Sequence, residues 1–173
     1  ICYPFLFLRY IAYLIKVIEK EILSRREVVI MPYKASQWQY VSDIWEDAKA
    51  QYDTDVYVLV LPYYYKESDG TFRERVYEGD KLPENIQVVS ADNYNLKLHH
   101  PDVIYIQNPF DGENKAVSVP KEFYSRELKR YTDKLVYVQS FTLEEFRKEN
   151  EREYKNMFAY CTVPGVVNAD ETL

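Results

Sequence analysis

The chain has 173 residues, 47% of them apolar and 29% charged, which suits one soluble globular domain with its own core. Its net charge of -6 and pI near 5.1 argue against a generic nucleic-acid binder, which presents a basic face. Two cysteines, Cys2 and Cys161, supply neither a disulfide framework nor metal-ligand spacing, so a reducing compartment is the default and no metal is called for. Tyrosine is over-represented, at 18 of 173. Its apolar ring and polar tip fit either a sugar-like or amphiphilic contact surface, or wide packing of strands and helices.

Residues 1–26 open without an initiator methionine, which reads as a cut, and predict a helix. Arg9, Lys16 and Lys20 recur at helical spacing among Tyr10, Ile11, Tyr13, Leu14, Val17 and Ile18. With Arg25 and Arg26 against Glu19 and Glu21, the segment carries +3 within an acidic protein. Arg9 interrupts the apolar run too early for a membrane span, and no signal-peptide pattern is present. Two readings remain: an interfacial helix with Arg9, Lys16, Arg25 and Arg26 on an anionic membrane surface, or a helix packed on protein.

Val28–Met31 is an uninterrupted apolar run, as expected of a strand covered on both faces of a parallel sheet. Pro32 ends it. Ser36 and Gln39 have the spacing of a capping box, which predicts a helix over 37–50 with Trp38, Val41, Ile44, Trp45 and Ala48 on one face. The run VYVLVL after Asp55 is a second buried strand, and the three elements make a βαβ unit. A hairpin or short excursion follows over 66–82, with Asp69-Gly70 as its turn. A third strand is expected at Gln87–Val89 and a short helix over 92–98. Val103–Ile106 is the fourth strand, and a helix should run from Pro120 to about Lys129. Leu135–Val138 is the fifth strand. Thr142 and Glu145 repeat the capping-box form and predict a helix to about Ala159, whose charge run Glu144–Lys155 reads as a solvated face. The segment Ala169–Leu173 reads as a second cut.

Three polar loops thus fall on one sheet edge. They carry Tyr33, Lys34 and Ser36, then Tyr63, Tyr64, Tyr65 and Lys66, then Asn108 to Asp111. A helix start offers free backbone N–H groups and the positive end of a dipole, so Lys34 with Ser36 would suit a phosphate. The same residues also fit a plainer arrangement, Ser36 capping and Lys34 solvated. None of the four glycines lies in the first strand-to-helix turn, which excludes the dinucleotide fingerprint and the phosphate loop. No cofactor is called for. Nothing resembles a nucleophile elbow or a Cys-His pair. His99, His100 and Asp102 are too few for a metal site and read as structural.

The series MPYKASQW, LPYYYK, HHPDVIYIQNPFD, FYSRELKRYTDKLVYV and CTVPGVVNAD closely resembles the N-terminal half of bacterial proteins of the CDP-glycerol glycerophosphotransferase family, over roughly residues 27–170. The resemblance implies a two-domain GT-B architecture. Residues 27–173 would be its Rossmann-like, acceptor-side domain, preceded by the amphipathic helix of 1–26 and followed by a missing C-terminal domain that binds CDP-glycerol. It implies transfer of glycerol phosphate to a glycerol-phosphate polymer or lipid-linked acceptor in teichoic-acid synthesis, at the cytoplasmic face of the membrane. It assigns no catalytic residue to this half, since the family's histidines belong largely to the other one; relatives often carry histidine where this chain has Gln107. The expected fold is an α/β three-layer sandwich with a mostly parallel sheet of at least five strands in the order 3-2-1-4-5. A non-catalytic binding or scaffolding module of the same fold is the alternative, and no nucleic-acid partner is expected.

Overall fold

The computed structural model describes residues 3–21, 25–108, 114, 116–138 and, as backbone, 166–168. Helix α1 covers Tyr3–Glu21, strand β1 Arg26–Met31, helix α2 Ser42–Ala50 and strand β2 Thr54–Leu59. A hairpin of β3 (Tyr63–Lys66) and β4 (Phe72–Val76) follows, then β5 (Val88–Val89), α3 (Leu96–His99) and β6 (Val103–Ile106). The remaining elements are β7 (Val117–Ser118), α4 (Ser125–Leu128), β8 (Lys134–Tyr137) and β9 (Val166–Asn168).

Six strands form one sheet in the order β5-β2-β1-β6-β8-β9, and every pairing in it is parallel. Its first five positions reproduce the expected 3-2-1-4-5 order, and β9 extends the edge by a strand. Chain direction across the sheet reverses between β1 and β6, so the crevice beyond their carboxyl ends is the topological switch point. A second, antiparallel sheet in the order β4-β3-β7 stands apart from the first.

Both faces of the parallel sheet are covered, which explains the unbroken apolar runs. Period-two alternation sends Val28 and Ile30 of β1, with Val58 of β2, toward Trp38, Val41 and Trp45. It sends Val29 and Met31, with Leu59 and Ile104, toward Tyr63, Tyr94, Val117 and Leu128. Val29 and Ile30 are fully buried; each such side chain contributes about 1.5–3 kcal/mol. Trp38 and Trp45 meet edge to face, with centroids 6.0 Å apart. The fold is therefore an α/β, Rossmann-like sandwich.

Several local expectations are corrected. The helix of 37–50 is a 3-10 segment, Ala35–Tyr40, followed by α2, and neither start carries a side-chain cap. Ser36 is exposed and forms no capping box, because the 3-10 segment already starts at Ala35 with Lys34 at its N-cap, which leaves Ser36 inside it; the Ala35 N–H donates to the Glu78 carboxylate, 2.8 Å away. The hairpin begins at Tyr63, so the tyrosine run is a strand and not a loop. Its turn places Gly70 at φ +84°, where a side chain would be strained, and the Asp69 carboxylate accepts from the Thr71 N–H at 2.9 Å. Residues 92–98 split into a 3-10 turn, Ala91–Asn93, and α3; residues 120–129 split into Lys121–Phe123 and α4, with Pro120 at the N-cap. The expected helix from Thr142 to Ala159 and the end at Ala169–Leu173 lie outside the described residues.

At the amino edge of the sheet, Arg25 donates to both Asp55 oxygens (2.7 and 2.9 Å) and to the Tyr52 carbonyl (2.9 Å), tying the entry of β1 to that of β2. That bond holds the Asp55 carboxyl below its ordinary value. Glu27 accepts from the Tyr94 hydroxyl and lies 2.9 Å from His99 Nδ1, while its own N–H donates to Asp102. His99 stacks on Tyr94 with centroids 4.3 Å apart. These contacts place His99 and Asp102 in structural roles, on the sheet edge opposite the polar loops.

Candidate functional site

At the carboxyl end of β1 the chain turns through Pro32 and Tyr33 to Lys34, which is half-buried. The Lys34 ammonium lies 5.7, 5.4 and 5.9 Å from the ring centroids of Tyr33, Tyr63 and Tyr65, within the range of cation–π attraction. The three rings form edge-to-face pairs, Tyr33 on Tyr63 and Tyr63 on Tyr65. No carboxylate pairs with Lys34 among the described residues. Tyr63 and Tyr65 reach the lysine from one side of β3 because alternate strand residues share a face. Tyr64 therefore points the other way, where its ring meets Phe72 at 5.4 Å.

Glu78, in the loop after β4, had no sequence signal and proves central. Its carboxylate accepts from the Ala35 N–H at 2.8 Å and the Tyr63 hydroxyl at 3.0 Å, and pairs with Lys81 at 3.5 Å. The Ala35 bond is the largest of the influences that hold the Glu78 carboxyl below its usual value. Burial, with bonds to Tyr65 and Glu78, pushes the Tyr63 phenol up, so it stays protonated as a donor. The phosphate predicted for the start of this segment would meet a carboxylate already seated at its first N–H. The anion-binding part of the expectation thus contracts from Lys34 plus Ser36 to Lys34 alone.

Beyond β6, Gln107 and Asn108 continue the register in which Ile106 pairs with Met31, which sets them alongside Pro32 and Tyr33 at the switch point. Gln107 Nε2 donates to the Gln37 carbonyl at 2.9 Å, binding the end of β6 to the 3-10 segment. Among the described residues its Oε1 has no partner, and neither amide atom of Asn108 has one, although Asn108 is only 6% exposed. A buried amide left unsatisfied costs about 1–3 kcal/mol per group, so these atoms mark a place that a polar ligand would satisfy.

Of the predicted site residues, the fold brings together Tyr33, Lys34, Tyr63 and Tyr65 and sets Asn108 on the adjoining strand end. Ser36 is exposed and makes no cap, Tyr64 faces away, and Asp111 lies outside the described residues. Among the described residues no cluster of His, Cys, Asp and Glu could hold a metal. Sequence reasoning missed Glu78 and the Gln107–Gln37 tie, because both depend on contacts 43 and 70 residues apart along the chain. The class of protein that fold and site define is a Rossmann-like α/β domain with a polar, aromatic-walled switch point. Comparison with family models, with curated proteins and with solved structures finds no match for this chain.

Proposed function

We propose that this chain is the acceptor-side half of a glycerophosphotransferase-like enzyme that moves glycerol phosphate from CDP-glycerol to a cell-wall polymer, and that it has no transferase activity alone. The separated motifs from MPYKASQW to CTVPGVVNAD support the family, and the doubly wound sheet is the architecture such a half requires. The observation that carries the reading is the juxtaposition at the β1–β6 switch point: a tyrosine-walled lysine with no carboxylate partner among the described residues, beside an Asn108 amide with no hydrogen-bond partner among them. Lys34 would meet an acceptor phosphate, and Asn108 would bond its glycerol hydroxyls. The donor would belong to a second domain. Calorimetric titration of the chain with a short glycerol-phosphate oligomer tests this. Lys34→Ala should weaken binding about 5- to 30-fold, as for one charge-assisted hydrogen bond of about 1–2 kcal/mol. Absence of binding to the unsubstituted chain, or equal binding by both, would overturn it.

Helix α1 adds a location to this reading. Between Leu6 and Ile15 its large apolar side chains are exposed, Phe7 by 63% and Leu8 by 64%, while no helix among the described residues is long and apolar enough to cross a membrane. With Arg9 and Lys16 on one stripe, such a helix suits the anionic cytoplasmic face of a membrane. Arg25 does not belong to that set, since its guanidinium is committed to Asp55.

A further inference from the structure

Tyr64, directed away from Lys34, lines a different feature. A cleft of about 160 Å³ opens between the carboxyl ends of β2 and β5, walled by Tyr64, Tyr77 and Phe123 with Arg75 and Asp92. It shares Asp92, Glu122 and Phe123 with a wider hollow of about 390 Å³ that continues past Asn95 and Lys97 to Tyr131. Together they make one groove between the segment after β5 and the segment holding α4. Ligands of open α/β sheets settle beyond the carboxyl ends of the strands; the smaller cleft lies there, on the far side of β3 from the lysine, and the wider hollow leads from it toward the amino edge.

The chemistry of the walls restricts the occupant. Arg75 and Lys97 can only donate hydrogen bonds, and Asp92 and Glu122 can only accept them. None of the four has an ion-pair partner among the described residues. Glu127, the remaining carboxylate, is paired to Arg130 at 2.9 Å. Arg75 lines the cleft and Lys97 the hollow, while Asp92 and Glu122 line both, so the groove favours neither an anion nor a cation. A hydroxyl group both donates and accepts, so a run of adjacent hydroxyls can serve donors and acceptors set side by side. The aromatic walls add rings against which the C–H face of a sugar can lie.

We propose that this groove binds a neutral oligosaccharide, with Asp92 and Glu122 accepting from hydroxyls of adjoining sugar rings and Tyr64 and Phe123 packing on their faces. The site is separate from the Lys34 cluster and needs no transferase activity. Backbone-amide NMR of the full chain, titrated with a trimer of N-acetylglucosamine and with maltotriose, tests it. One of the two should shift the amides of Tyr64, Asp92, Asn95 and Phe123. Replacing two exposed carboxylates by their isosteres, Asp92→Asn with Glu122→Gln, should weaken that affinity about tenfold or more while the remaining spectrum keeps its dispersion. Lys34→Ala should bind the sugar as the unsubstituted chain does. The proposal is overturned if neither trisaccharide moves these amides, if the double variant binds unchanged, or if the shifts map to Lys34 and Asn108 instead.

Discussion

Glu78→Ala is expected to be the most costly single change at the carboxyl edge among residues outside the core. The bond from the Ala35 N–H is charge-assisted, and such bonds contribute about 1.5–3 kcal/mol net. The Tyr63 hydroxyl bond adds less, because that phenol also bonds Tyr65 and would not be orphaned. The Lys81 pair adds little, since Lys81 is 61% exposed. The total is roughly 2–4 kcal/mol, or a fall in Tm of roughly 4–16 °C for a chain of this size. The pH dependence has a definite sign. The Glu78 carboxyl is held below its ordinary value in the folded state, so its contribution is complete above the unfolded value, about 4.3. It is lost as pH falls through the lower, folded value. Urea denaturation followed by the fluorescence of Trp38 and Trp45 should show the full deficit at pH 7 and a shrinking one as pH falls below about 4. A deficit under about 0.5 kcal/mol at pH 7, or one unchanged by acid, would refute the clamp.

Ser36→Ala should leave stability within about 0.5 kcal/mol, since no cap is lost; a loss near 1 kcal/mol, the usual cost of an N-cap, would restore the capping box. Asp55→Asn should cost no more than about 1 kcal/mol despite its two short bonds, because both partners are more than a third exposed. Thermal melts at low and high salt check this, and the difference should narrow with salt. The chain should co-sediment with liposomes containing anionic lipid, and Arg9→Glu with Lys16→Glu should release it. Equal binding to neutral liposomes, or none to anionic ones, would remove the membrane reading of α1.

Sequence alone determined the sheet. Val28–Met31, VYVLVL, VIYI and LVYV are apolar without interruption because both faces of each central strand are covered, and burial on two faces leaves no polar alternation to blur the pattern. The order 3-2-1-4-5 was expected as the commonest for an open doubly wound sheet, and the first five strands adopt it. The start of the segment after β1 was misread for a physical reason. A capping box needs Ser36 at the N-cap, but the segment starts one residue earlier, with Lys34 at its N-cap, and its first N–H, that of Ala35, donates to Glu78, far along the chain. Lys34 and Tyr33 were legible as neighbours in the chain; their meeting with Tyr63 and Tyr65 required the β3 hairpin to fold back over the switch point. The division of the tyrosine run, with Tyr63 and Tyr65 toward the lysine and Tyr64 toward the groove, follows from strand periodicity only once β3 is known to be a strand. Tertiary structure alone decided that the Asn108 amide is buried with no partner among the described residues, since burial depends on what the neighbouring strands and loops bring around it, and no local pattern in the chain encodes that.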